Sequence, residues 1–209
     1  MDTEIMNLAE QTVCNLRKRK FEAYYCATAE EAKELALSLI PAGDTVAWGG
    51  SVTAEKTGLI AAVKERKDIK LIDRDTATTP AEKRTLMRRS LLADSYIAGV
   101  NGISSDGWLV NIDGTGNRVA AITFGPENVI LLAGVNKIEN TVAQAVERAR
   151  NVAAPLNVAR LNIQNPCLKA GKCTDCLCDT TICSHFVLHR YCKPAGRIKV
   201  IIIGEEIGF

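Results

Sequence analysis

The amino-acid sequence predicts an α/β fold: a mixed, largely parallel open sheet with flanking helices, carrying a cysteine-rich metal-binding segment near its C-terminal end. Three observations lead there. Short apolar runs such as Thr45–Trp48 and Ile198–Ile203 alternate with longer stretches of helical periodicity, the rhythm of βαβ units. Gly49-Gly50 follows one of those runs directly and opens the next helical pattern. Six of the eight cysteines fall between residues 167 and 192.

The elements follow in order. Residues 3–20 place Ile5, Leu8, Ala9, Val13 and Leu16 on one helical stripe, and the basic run Arg17 to Lys20 complements the dipole at the helix end. A short strand, Glu22–Cys26, comes next. Thr28 with Glu31 three positions later reads as a capping box for a helix that stops before Pro41 and Gly43. Strand Thr45–Trp48, helix 52–66 and strand 69–72 form a βαβ unit. Thr79 as cap and Pro80 at the first position start a helix over 80–92, followed by a strand over 95–100. Three short β-rich segments, 108–112, 119–124 and 129–135, are separated by Asp113-Gly114 and Gly125-Pro126, a spacing that favours antiparallel or mixed pairing. A helix over 139–152, the cysteine segment 165–193 and the strand Ile198–Ile203 complete the chain. Neither a repeat nor a flexible linker divides it, so residues 1–209 are expected to form one domain with segment 165–193 inside it.

Composition narrows the function. With 47% apolar and 24% charged residues the chain can bury a core and does not read as disordered. Lys plus Arg (26) nearly balance Asp plus Glu (24), and four Phe and four Tyr offer few stacking platforms, which argues against nucleic acid as a partner. No run approaches the roughly 18 to 20 apolar residues of a membrane span. Asp2 and Glu4 interrupt the first residues where a secretory leader would be apolar. The expected compartment is therefore the cytoplasm, where clustered thiols stay reduced and bind metal more often than they pair.

Cys167, Cys173, Cys176, Cys178, Cys183 and Cys192 have the only two histidines, His185 and His189, among them. Thiolates are soft ligands that select zinc, cuprous copper or iron-sulfur clusters, and the two-residue gap from Cys173 to Cys176 lets two sulfurs face one centre. The all-thiolate supply and the lack of a zinc-finger spacing favour an iron-sulfur cluster of the 4Fe-4S type, with zinc as the alternative. Cys14 and Cys26 stand apart and read as core thiols. Three loops, 48–53, 99–107 and 113–118, are rich in Gly, Ser, Thr and Asn; the first feeds a helix, so its amides are placed to cradle a phosphate or carboxylate.

Trp48-Gly49-Gly50-Ser51 with Thr53 and Glu55, the run from Gly99 through Ser105-Asp106-Gly107-Trp108 to Val110, the stretch Asn111 to Arg118, and Arg197 to Glu205 together resemble LUD-domain proteins, the LutC/YkgG-like lactate-utilisation family. The resemblance covers nearly the whole chain. It implies a NagB/RpiA/CoA-transferase-like fold, whose relatives bind small anions at Gly-rich strand ends, and an association with oxidation of L-lactate beside iron-sulfur partner proteins. The chain is most similar to the stand-alone subgroup with a Cys-x5-Cys-x2-Cys-x6-Cys segment, which implies Cys167, Cys173, Cys176 and Cys183 as ligands. In that pattern the position of Cys178 is more often serine, leaving Cys178 and Cys192 as additional thiols or alternative ligands.

Two functions fit. In the first, a small anionic metabolite, a hydroxy- or oxo-acid such as lactate or pyruvate, is held by Gly49, Gly50, Ser51, Thr53, Asn101, Asn117 and Arg118. Glu55, Asp106 and Asp113 are then the acid or base candidates, and Lys56 joins Arg118 as an anion partner. Each has a plainer reading: Glu55 as a helix-surface charge, Asp106 and Asp113 as turn formers. In the second, the chain is a non-catalytic redox or assembly subunit whose centre is structural or carries electrons. A homodimer or an iron-sulfur protein is the expected macromolecular partner.

Overall fold

The structure, a computed structural model, describes residues 3–209. Helix α1 (Thr3–Lys18) buries Ala9, Val13 and Leu16 along its inner stripe and leads into strand β1 (Glu22–Cys26). Helix α2 (Ala29–Ser38) is capped by Thr28, whose side chain accepts from the Glu31 amide at 3.2 Å. The Glu31 carboxylate reaches back to the Ala27 amide at 2.8 Å, one residue beyond the donor of a standard capping box.

After β2 (Thr45–Trp48), the single helix expected over 52–66 is broken into α3 (Val52–Lys56) and α4 (Leu59–Glu65). Gly58, in the left-handed region at φ 75°, is the break. Strand β3 (Lys70–Ile72) precedes α5 (Pro80–Arg89), where Thr79 and Glu82 close a full capping box, and β4 (Ser95–Gly99) follows.

The next stretch departs most from expectation. Residues Gly102–Ser104 form β5 and Leu109–Asp113 form β6, but 119–124, expected as a strand, lie in helix α6 (Asn117–Phe124). Val, Ile, Thr and Phe made the segment look like a strand. Charged groups outside the segment, one nearby and one distant in sequence, hold it as a helix. The Asp113 carboxylate accepts from the Arg118 and Val119 amides at 2.9 and 3.1 Å at one end. At the other, the Arg197 guanidinium donates to the carbonyls of Ala121 and Ile122 at 2.9 and 2.7 Å. Both sets of terminal backbone groups are thereby satisfied.

Strands β7 (Asn128–Gly134) and β8 (Ile138–Glu139) lead to α7 (Val142–Arg148), a π-helical turn over Ala149–Ala153, and α8 (Ala154–Arg160). This unit begins later than the expected helix 139–152 and extends past it. Helix α9 (Pro166–Ala170) opens the cysteine segment, which also contributes strand β9 (His185–His189), and β10 (Ile198–Ile203) closes the fold.

The six strands β1-β10-β7-β4-β2-β3 form one fully parallel sheet. Alternate residues of its strands fill two cores. Val129, Leu131 and Ala133 of β7 face α1 and α6, whereas Ile130 and Leu132 face α2 and α4. A second sheet, β8-β5-β6-β9, is mixed and sits beside the first, with β6 antiparallel to both its neighbours. Of the two isolated cysteines, Cys26 is buried but Cys14 is exposed, on the outer face of α1 rather than in the core. Among the described residues, no helix is long and apolar enough to cross a membrane.

Candidate anion cleft and cysteine cluster

In a parallel sheet every carboxyl strand end lies along one edge, and the loops that leave it gather there. Gly50 and Ser51 after β2, Arg74 after β3, and Gly99 to Asn101 after β4 line one cleft of about 290 Å³. Asp113 to Thr115, Asn117 and Arg118 close one side, and Asn157 and Arg160 of α8 close another.

The charges in this cleft are uneven. Arg74, Lys83, Arg118 and Arg160 are basic, and Asp113 is the one acid among the lining residues. Asp113 is already engaged, since its two oxygens take three backbone amides, those of Gly114, Arg118 and Val119. Arg118 is engaged as well: it donates to the Gly99 and Ile112 carbonyls and to Asn101 and Asn111 at 2.6 to 3.1 Å. Burial pulls its pKa below the usual arginine value, against the pull of Asp113. Arg118 therefore braces the cleft wall more than it offers donors to a ligand.

Arg74 and Arg160 are different. A Cβ on Gly50 would stand 3.1 Å from Arg74 Nη2 and 3.8 Å from Arg160 Nη2, so two guanidinium groups flank that glycine. Arg74 Nε is buried with no hydrogen-bond partner among the described residues. Its ion pair with Asp75 is long, at 3.9 Å. Neither arginine stood out in the sequence, because nothing local to residue 74 or 160 marks it.

Several expected residues lie elsewhere. Thr53 is fully buried and accepts from Lys137 Nζ at 2.8 Å. Among the described residues that lysine has no ion-pair partner, and burial, followed by Arg148 and Arg118, brings its pKa down to about 7. Glu55 and Lys56 are exposed on α3 and do not line the cleft. Asp106 pairs with Arg19 at 3.0 Å on the surface. Gly49 sits behind the cleft, where a Cβ would press on the Tyr96 hydroxyl at 2.9 Å.

The cysteine segment packs beside this cleft. Cys167 is buried in the first turn of α9, and Cys183 packs against Val110, Ile112, Ala145 and Ala149. Burial pushes the Cys183 thiol up to about 11, with Cys173, Cys167 and Cys176 adding to the shift, so all four expected ligands lie within electrostatic reach of one another. Burial also raises Cys167 and Cys176, the latter helped by Cys178, whose Sγ is 3.7 Å from that of Cys176. Arg150, on the π-helical turn, donates to Cys173 Sγ at 3.6 Å and to Asp175 at 2.9 Å. Among the described residues, no three Cys, His, Asp or Glu side chains converge on one ion-sized position.

Cys192 and His189 have their partners outside this group, and the His185 ring lies beside Gly116. Cys192 is a core thiol that accepts from the Ile198 amide at 3.3 Å. His189 is buried against Thr123 at 3.0 Å, and burial, then Arg197, lowers its pKa to about 4. Ile182, next to Cys183, reaches the cleft; none of the sulfurs does.

Comparison with known proteins agrees with this architecture. No curated protein sequence matches the chain significantly. Its structure is similar to that of a DUF162 family protein from Deinococcus radiodurans, with a TM-score of 0.53 and 16% identity over 96% of this chain and 98% of that one. Weaker likenesses cover about half of the chain: 56% of it and 44% of eIF2B beta from Chaetomium thermophilum, at 21% identity and a TM-score of 0.38. For ribose 5 phosphate isomerase A from Neisseria gonorrhoeae the values are 56% of each chain, 16% identity and 0.35. The LUD domain profile matches residues 9–203, and the chain belongs to the LUD domain family.

Proposed function

We propose that this LUD-domain protein binds a small organic anion, a hydroxy- or oxo-acid of the lactate or pyruvate kind, with Cys167, Cys173, Cys176 and Cys183 holding an iron-sulfur cluster beside the cleft. The observation that carries the first part is the pair of guanidinium groups flanking Gly50, in a cleft whose one acidic side chain, Asp113, is taken up by three backbone amides. A carboxylate seated there accepts charge-assisted hydrogen bonds from Arg74 and Arg160, while the Ser51 to Ala54 turn contributes backbone dipoles. Asp113 and Arg118 hold the wall in place, and Asn101 and Asn117 offer polar edges to a hydroxyl or keto group.

The chemistry of the donor set supports the second part. The thiols of Cys167, Cys173 and Cys176 all act electrostatically on Cys183, and an all-thiolate supply of this kind without a zinc-finger spacing suits an iron-sulfur cluster, with zinc as the alternative. Arg150 would donate to the Cys173 thiolate and offset its charge. When bound, such a cluster supplies one-electron transfer.

Because no sulfur lines the cleft, a second reading has support: the centre, iron-sulfur or zinc, orders segment 165–193 or relays electrons and takes no direct part at the acid. The chain is then a subunit serving an oxidoreductase partner.

Titration with lactate, pyruvate and inorganic phosphate tests the cleft. Arg74→Ala and Arg160→Ala should each weaken binding by roughly tenfold, the worth of one hydrogen bond to a charged group. Unchanged affinity in both variants removes the proposed site. Iron and sulfide analysis of anaerobically purified protein tests the centre, and stoichiometric zinc without iron decides for the alternative.

A further inference from the structure

We infer that the cleft continues into a second anion-binding subsite on α5, and that its natural ligand is a phosphorylated hydroxy- or oxo-acid carrying two separate anionic groups. The inference rests on the acid-binding reading above and extends it. A groove of about 810 Å³ adjoins the cleft and shares Lys83, Met87, Gly114, Thr115 and Asn117 with it, so the two spaces are immediate neighbours. A three-carbon acid fills only the smaller part.

The groove is basic without compensation. Lys83, Arg84 and Arg88 line it, with Ser184 and His185 opposite, and no acidic residue takes part. Arg84 and Arg88 are four positions apart on α5, so they stand one above the other on the same helical face, an arrangement of like charges that disfavours the helix when nothing neutralises it. Among the described residues, none of the three basic side chains has an ion-pair partner. Lys83, Arg84, Arg88 and Arg89 of this helix are all exposed, but Arg89 points away from the groove, beside Lys64 and Asp73.

The apolar lining has a use as well. Met87, Leu91 and Ala120 cover the groove floor between the basic groups, where a ligand's carbon skeleton would pass. The carboxylate then sits over Gly50 between Arg74 and Arg160, and the phosphate lies against Lys83, Arg84 and Arg88. Arginine's planar fork suits a phosphate's oxygens, and Lys83, common to both spaces, reaches either group.

The test uses calorimetric titration of the full chain with three probes: lactate, inorganic phosphate and 3-phosphoglycerate. The expected result is that 3-phosphoglycerate binds at least roughly tenfold more tightly than either single anion. In the double variant R84A/R88A this advantage should vanish while lactate binds as before, and Arg89→Ala should alter none of the three. Equal affinity for 3-phosphoglycerate and lactate overturns the subsite, and so does an equal loss in R84A/R88A and Arg89→Ala, which would mean diffuse charge attraction. Failure of lactate to bind the unaltered chain, with the phosphorylated acid still lost in R84A/R88A, overturns the cleft reading and leaves the subsite standing.

Discussion

The cleft and the cysteine segment lie side by side but are held together by different means. The cleft is built from strand ends and helix starts, and its wall is fixed by Arg118 through four hydrogen bonds. Between α9 and β9 the cysteine segment has no regular element; it turns through Gly171 and Asp175 in left-handed conformations and leaves Leu177 97% exposed. Its internal bonds run largely through side chains, such as Thr180 and Cys178 to Asn165 and the Cys173 amide to Asn151. The lesson is that the cleft is organised by regular elements and a buried arginine, whereas the cysteine segment is held chiefly by side-chain bonds between irregular stretches of backbone.

That contrast can be broken by measurement. The largest effect is expected at Arg118: replacement by alanine removes four hydrogen bonds, to the Gly99 and Ile112 carbonyls and to Asn101 and Asn111, leaves the Asn101 side-chain oxygen only the Ile112 amide, and should cost about 3 kcal/mol or more in urea unfolding. A loss below about 1 kcal/mol would mean that the cleft wall is not braced as described.

His189 lies where β9 of the cysteine segment meets Thr123 of α6. Its folded pKa of about 4 lies below the unfolded 6.5, so the unfolded chain takes up the proton first. Stability is therefore complete above pH 6.5 and falls as pH drops toward 4, by about 3 kcal/mol at most for a shift of that size. Unfolding measured across this window should lose part of its slope in His189→Leu; an unchanged slope assigns the acid sensitivity to other groups.

A smaller stability effect is expected among the cysteines. Cys173→Ser or Cys176→Ser should strip the bound metal while shifting the metal-free protein by less than about 0.5 kcal/mol, and Cys14→Ser should retain the metal in full. A metal-free Cys173→Ser protein that unfolds much more readily would show the segment to be folded by its own packing. Smallest of all, Glu55→Gln and Asp106→Asn should leave anion affinity unchanged and cost no more than about 0.5 kcal/mol, as exposed charges do.

The same contrast explains what was legible in the sequence. Strands β2, β7 and β10 were readable because they lie inside a parallel sheet with nearly every residue buried, so their runs are almost wholly apolar. Caps Thr28 and Thr79 were readable because their partners lie three residues away. The cysteine cluster and the Gly50-Ser51 and Asn101 loops were visible as composition. Helix α6 was not, since the arginine that caps its end lies 75 residues from the carbonyl of Ile122 that it holds. Arg74 and Arg160 carry the cleft's free charge, yet they meet only over Gly50 once three elements are in place. Thr53 and Glu55 follow the cue of their loop, but one turns into the core and the other out to solvent.

The π-helical turn between α7 and α8 has a consequence for how the two sites are kept in phase. Such a turn holds one residue more than the α-helical path would, and each residue rotates an α-helix by about 100°. Upstream of its end, Arg150 and Asn151 address Cys173; from its end onward, Ala153, Asn157 and Arg160 face the cleft. Removing a single residue there would swing Arg160 about a quarter turn or more away from Gly50 while sparing the contacts with Cys173. The helix thus works as a keyed shaft, with the extra residue as the key that lets one rod serve two partners set at different angles.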